Sequence, residues 1–223
     1  MQDTAKIWGL NVLPSLVIFD LDGTLIDSLA GLAESINAMR KVFDLPPLPL
    51  DAVRSAIGKG ARNLVSRCLP EGDERIDEAL ALFLAHNGDN LAARTTLYPW
   101  AKELLAELRG ANIPLALVSN KNTAHCKRLL ALYGIADCFQ VVLGGDALAE
   151  SKPSPGPLLA AMIQSGSTAG TTLMIGDSSN DFDAARKAGI RSIGCRFGYG
   201  EPWELELADV CITSLDELLP LPW

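Results

Sequence analysis

The strongest constraint on this chain is a unit that recurs along it: a short apolar run that stops on a polar residue or glycine and is followed by a helical pattern. Leu16-Val-Ile-Phe19 stops at Asp20, Leu115-Ala-Leu-Val118 at Ser119, Val141-Val-Leu143 at Gly144 and Leu173-Met-Ile175 at Gly176-Asp177; Ser192 to Cys195 and Val210 to Ile212 repeat the theme. The first four runs do not alternate apolar with polar, so they do not suit strands with one wet face. Their length and β-branched content predict strands buried on both sides. Between the runs, Pro99 to Arg109, Asn122 to Tyr133, Pro155 to Gln164 and Asp181 to Ala188 predict helices, three of them closed by Gly110, Gly134 and Gly189. Proline near a first turn and glycine just past a last one are the usual punctuation. Strand and helix in alternation require crossover connections, hence an α/β fold with a parallel sheet covered on both faces. Crossovers of one hand gather the polar strand ends along one edge, where such sheets bind ligands.

From about Ser28 to Leu97 the alternation stops. This stretch exceeds any ordinary strand-to-helix loop, and its periodic pieces, Ser28 to Phe43, Gly60 to Leu69 and Asp73 to His86, predict helices, with Leu45-Pro-Pro-Leu-Pro as a linker. The expected organisation is a core made of residues 1–27 and 98–223, with a small helical cap, 28–97, inserted after the first strand. Of the 19 Lys/Arg and 27 Asp/Glu, the cap segment carries eight and nine and the core eleven and eighteen. A nearly neutral cap over an acidic core suggests that the cap brings cations to an anionic ligand.

The overall charge of −8 argues against nucleic acid or an anionic membrane as partner, because both require a basic footprint. The five cysteines, Cys68, Cys126, Cys138, Cys195 and Cys211, form no C-x-x-C pair, so neither a zinc knuckle nor a disulfide framework is expected. Met1 to Ser15 has no sustained apolar stretch, and no window reaches the ~18 apolar residues of a membrane span. A cytoplasmic monomer or homodimer with a small-molecule partner is expected.

Chemistry concentrates where the runs end. Asp20-Leu21-Asp22-Gly23-Thr24 places two carboxylates at a turn after the first strand, within reach of one ligand; alone, the pair is compatible with a simple solvated turn. Ser119-Asn120 ends the second strand, Lys152-Pro153 lies in a later loop, and Gly176-Asp177 with Asp181 follows another strand. Taken singly, Ser119 suits a cap for the helix near Asn122, and Asp181 suits the first turn of its own helix. Together they supply a nucleophilic carboxylate, a hydroxyl, a cation and further acids, the inventory for phosphoryl transfer assisted by a hard divalent ion. His86 and His125 lack metal-site company and read as satisfied or exposed residues. Gly58-Lys59-Gly60 lacks the rest of a nucleotide-binding phosphate loop.

In these motifs and their order the sequence resembles the haloacid dehalogenase superfamily, specifically its bacterial phosphoglycolate phosphatase-like branch with a helical cap. Asp20-x-Asp22-Gly-Thr matches the first family motif, Ser119 the second, Lys152 the third, and Gly176-Asp177 with Asp181 the fourth. The resemblance implies a Rossmann-like core and hydrolysis of a phosphate monoester through an aspartyl-phosphate on Asp20, with Asp22 as acid and then base. It implies Mg²⁺ held by the Asp20 carboxylate, the Asp22 carbonyl and the Asp177 side chain, with Asp181 orienting Lys152 or a water. Ser119 and the Asn120 amide would hold phosphoryl oxygens, and Lys152 would offset charge on the nucleophile and the transferring group. In the cap, Lys59 or Arg62 would pair with a substrate carboxylate. A charge count over the four acids, Lys152, the ion and a phosphate dianion leaves the site negative, which favours a proton on Asp22. A dehalogenase does not need Asp22. A sugar-phosphate mutase shares the motifs and stays open, as do a phospho-acceptor module and a non-catalytic phospho-ligand binder.

Overall fold

The computed structural model describes residues 4–10, 12–91 and 93–222; residues 1–3, 11 and 223 of the expected core and residue 92 of the expected cap lie outside it. In chain order the elements are α1 (Thr4–Trp8), β1 (Leu16–Phe19), β2 (Ile26–Asp27), α2 (Leu29–Val42), α3 (Leu50–Arg54), α4 (Gly60–Arg67), α5 (Ile76–Asp89) and β3 (Thr96–Leu97). They continue as α6 (Ala101–Gly110), β4 (Leu115–Val118), α7 (Thr123–Leu132), β5 (Val141–Leu143), α8 (Gly156–Ser165), β6 (Thr172–Gly176), α9 (Ser179–Ala188), β7 (Arg191–Cys195), α10 (Pro202–Leu205) and β8 (Val210–Ile212).

Six strands form one sheet in the order β5-β4-β1-β6-β7-β8, every pairing parallel. The chain runs outward from β1 through β4 to β5, then crosses to β6 on the other side of β1 and runs outward again. The direction therefore reverses at β1, which puts a crevice at its carboxyl end. The central strands β1, β4 and β6 bury both faces, as their apolar runs require, while β5 and β8 at the edges of the sheet are half-buried on one face or more. Val17 and Phe19 point with Leu117 and Ile175 into one layer, which α6 and α7 cover, while Leu16 and Ile18 join Val118 and Met174 under α8 and α9.

The helices α2 to α5 have an apolar core of their own, built on Ile36, Met39, Val53, Val65 and Phe83. Buried Arg40 closes it by donating to the carbonyls of Pro46 and Cys68. The short antiparallel pair of β2 and β3 joins this helical unit to the sheet at both of its chain crossings. Two expectations need adjusting. Leu50–Arg54 is a further helix, too short for its period to register. Gly110 belongs to the last turn of α6, and Asn112 at φ 57° makes the left-handed stop, a conformation asparagine tolerates.

Candidate active site

Because β1 pairs with β4 on one side and β6 on the other, the residues just past all three strands converge. The Asp20 amide still donates to Ile175 O at 2.9 Å, so the carboxylate emerges as the first group beyond the sheet. Lys152 reaches the same point from its loop. Its ammonium donates to Val118 O at 2.6 Å and Asp181 Oδ1 at 2.6 Å, and lies 3.1 Å from Asp20 Oδ1 as an ion pair without a directed hydrogen bond. Burial works against this cation, but the facing Asp181 and Asp20 hold its pKa above the ordinary lysine value.

Asp181 does two jobs. Its Oδ1 accepts a hydrogen bond from the Lys152 ammonium, while Oδ2 accepts from the Asp177 and Ser178 amides and from Ser178 Oγ, the reciprocal half of a capping box that starts α9. Its place in the first turn of α9 and its contact with Lys152 are therefore compatible. Asp177, also buried, accepts the Tyr199 amide at 2.6 Å. Gly23 makes room for it: with φ +82°, a Cβ there would lie 2.2 Å from Asp177 Oδ2.

Asp20, Asp177 and Asp181 each offer a carboxylate oxygen within 4.8 Å of the others. Burial lifts the Asp20 carboxyl to about 6, with Lys152 pulling the other way. Burial, then the charges of Asp181 and Asp20, push Asp177 well above the carboxylate range. Acids so placed repel one another when ionised, and a hard divalent ion removes that cost. The donor set fits such an ion: Asp20 Oδ1 accepts no hydrogen bond, whereas both oxygens of Asp181 are already engaged. Asp20 and Asp177, which accept fewer hydrogen bonds than Asp181, are the freer side chains to hold it.

Asp22 points elsewhere. Its carboxylate receives the Ser28 hydroxyl at 2.5 Å and the Lys121 ammonium at 3.1 and 3.0 Å. Lys121, which no sequence motif singles out, adds one positive charge to the site. Ser119 is buried at the end of β4 and does not cap α7; Asn122 does, its Oδ1 accepting from the Ala124 and His125 amides. The Asn120 side chain donates to Gly58 O at 2.9 Å and Lys152 O at 2.8 Å, tying the Gly58-Lys59-Gly60 loop to the sheet edge.

A cavity of about 520 Å³ opens over these residues, walled on the far side by α3, α4 and α5. Asp20, Asp22, Ser119, Asn120, Lys121 and Asp177 line it, and so does exposed Lys59. Arg62 does not: it pairs with Asp77 on the outer surface, while Arg54 and Arg67 face the cavity. In an eight-residue helix whose Leu64 and Val65 turn inward, sequence position alone could not fix which arginine faces the site. His125 also lines the cavity, its pKa held low by burial and by the cations Lys121 and Arg128, while His86 meets Ser35 Oγ at 3.1 Å.

The sequence model of the family described as haloacid dehalogenase-like hydrolase matches residues 17–195, a span holding every acid of the cluster and both lysines. The chain belongs to this hydrolase family. Among its relatives, the phosphoglycolate phosphatase of Neisseria meningitidis is 41% identical over 213 residues, 93% of this chain and 87% of that protein. The phosphoglycolate phosphatase of Pseudomonas putida is 38% identical over 217 residues, 93% of this chain and 79% of the relative. The crystal structure of a predicted phosphoglycolate phosphatase from Haemophilus somnus superposes with a TM-score of 0.86 at 33% identity, covering 92% of this hydrolase and 96% of that chain. No helix among the described residues of the hydrolase is long and apolar enough to cross a membrane, and its cysteines are free.

Proposed function

We propose that this hydrolase is a cytoplasmic, Mg²⁺-dependent phosphomonoesterase for a small phosphorylated metabolite, with phosphoglycolate as the leading substrate. The observation that carries the proposal is the placement of Asp20 at the reversal point of the sheet, 3.1 Å from a buried lysine and beside two further acids, with a second carboxylate two residues on. The names of the relatives support the same reaction.

In the first displacement a carboxylate oxygen of Asp20 attacks phosphorus, the bond from phosphorus to the leaving oxygen breaks, and Asp22 supplies the proton that oxygen needs. In the second, a water attacks phosphorus and gives its proton to Asp22. The Asp20–phosphorus bond then breaks, returning the carboxylate and inorganic phosphate. Ser119 and the amides of its loop hold equatorial oxygens, and Lys152 offsets the charge that builds on them. Asp181 acts as a positioning residue through Lys152 and the start of α9. The Asp20 and Asp177 side chains and the Asp22 carbonyl would hold Mg²⁺, which when bound supplies positive charge to the phosphoryl oxygens. The helical unit 28–97 serves as a cap that shields the reaction from bulk water.

The test is phosphate release from a panel of phosphorylated metabolites, with Mg²⁺ and with EDTA, alongside Asp20→Asn. Release is expected only with Mg²⁺ and only with Asp20 intact. Release by the Asn variant would overturn the nucleophile assignment, and phosphate retained and passed between hydroxyls of a sugar phosphate would favour the mutase reading.

A further inference from the structure

Resting on the phosphatase reading above, we infer that Lys121 selects the leaving group: its ammonium binds a carboxylate borne on the carbon next to the ester carbon, so the preferred substrates are two-carbon phosphoxy acids. The first support is valence. Lys121 lines the cavity with its side chain 10% exposed, and its ammonium gives one hydrogen bond to each oxygen of Asp22, at 3.1 and 3.0 Å. An ammonium has three hydrogens, and the third has no acceptor among the described residues. A mostly buried cation with an unfilled donor at a cavity wall is a binding group for an anion.

The second support is reach. To pass its proton, Asp22 must come within roughly 2.6–3.2 Å of the leaving oxygen. Lys121 Nζ, 3.0 Å from Asp22 Oδ2, then stands within about 6 Å of that oxygen. In a two-carbon phosphoxy acid, ordinary bond lengths put the carboxylate oxygens about 3 Å from the ester oxygen. The remaining gap is one charge-assisted hydrogen bond. Each added methylene carries the carboxylate away from this cation and towards the cap wall.

The other cations at the cavity are committed or distant. Lys152 is buried beside the nucleophile Asp20, bonded to Val118 O and Asp181, and so faces the phosphoryl group rather than the leaving group. Arg54 donates to Gly198 O at 2.9 Å. Lys59 and Arg67 are exposed on the opposite, helical wall, where they suit longer leaving groups. Nor is Lys121 needed merely to orient Asp22, because the Ser28 hydroxyl already holds that carboxylate at 2.5 Å.

The experiment compares kcat/KM for phosphoglycolate, its homologues with one and two further methylenes, and uncharged ethyl phosphate, in the wild-type protein and in Lys121→Met and Lys121→Arg. The wild type is expected to favour phosphoglycolate and to decline along the series. The preference for phosphoglycolate over ethyl phosphate is expected to fall about a hundredfold in the Met variant, the worth of one charge-assisted bond, and to be partly kept in the Arg variant. Equal losses on both substrates would overturn the inference and leave Lys121 a partner of Asp22 alone. A wild-type preference that rises with chain length would overturn it without reference to any variant's folding. In either case an active wild type leaves the phosphatase reading standing; phosphate release from no substrate at all would remove that reading and this one with it.

Discussion

Lys152 is the residue on which the acids at the centre of the site depend. Its side chain is 1% exposed, and it sits between Asp20 and a fully buried Asp181. Removing one partner of a buried ion pair strands the other, at a cost of about 3–5 kcal/mol. Lys152→Met is therefore expected to lose stability on that scale in urea unfolding, as well as turnover; a loss under about 1 kcal/mol would mean that the cluster is solvated. The thiols permit a second prediction from burial. Burial pushes Cys126 up to about 12 and Cys68 up to about 11, and raises Cys195 as well. A thiol reacts as thiolate, so a raised value means a protonated, inert group well above neutral pH. Alkylation of the native protein at pH 8 is expected to mark half-buried Cys138 before any of these three, read by mass spectrometry. Asp20, Asp22, Asp177 and Ser119 were legible in the sequence because each stands where an apolar run stops. Lys121 was not, although it follows Ser119 by two residues. Its value comes from the pairing of β4 with β1, which brings it against Asp22 from 99 residues away, and a lysine after a strand end carries no sign of that.

Among the elements, the six sheet strands were readable as short apolar runs that stop on a polar residue or glycine or repeat that theme, and most helices from their period and stops. The pieces that join the two units were not, because they are too short to show a pattern and their partners are remote. The entry to α2 is the clearest case. Ser28 occupies its N-cap yet makes no side-chain cap, since its hydroxyl is given to Asp22. The missing acceptor arrives from the far end of the chain: Tyr199 Oη receives the Ser28 amide at 2.7 Å and the Leu29 amide at 3.0 Å, and donates to Asp27 Oδ1 at 2.9 Å. The amide of the same tyrosine holds Asp177, so one residue links the acid cluster to the first turn of the helical unit. Tyr199→Phe removes the only side-chain acceptor, among the described residues, of the buried Ser28 amide. A loss of about 1–3 kcal/mol is expected in urea unfolding, the cost of leaving a buried amide unpaired; an unchanged midpoint would mean that water replaces the hydroxyl.

At the scale of the whole molecule, the helical unit and the sheet meet over a cavity and are tied across it by few directed bonds. Arg54 Nη2 donates to Gly198 O at 2.9 Å, Asn120 Nδ2 to Gly58 O at 2.9 Å and Arg128 Nη1 to Gly88 O at 2.7 Å. Each such bond is worth on the order of 1 kcal/mol net, so together they bias closure without locking it, which suits the cap role proposed for the helical unit. Both arginines act on backbone carbonyls, and neither touches the acids. Replacing Arg54 and Arg128 together by alanine should therefore weaken closure and leave the cluster of Asp20, Asp177 and Asp181 intact. The expected result is a larger radius of gyration by small-angle X-ray scattering, together with a severalfold higher KM and a smaller change in kcat. An unchanged radius and KM would mean that the apolar contacts between the two units, rather than these bonds, hold the cap in place.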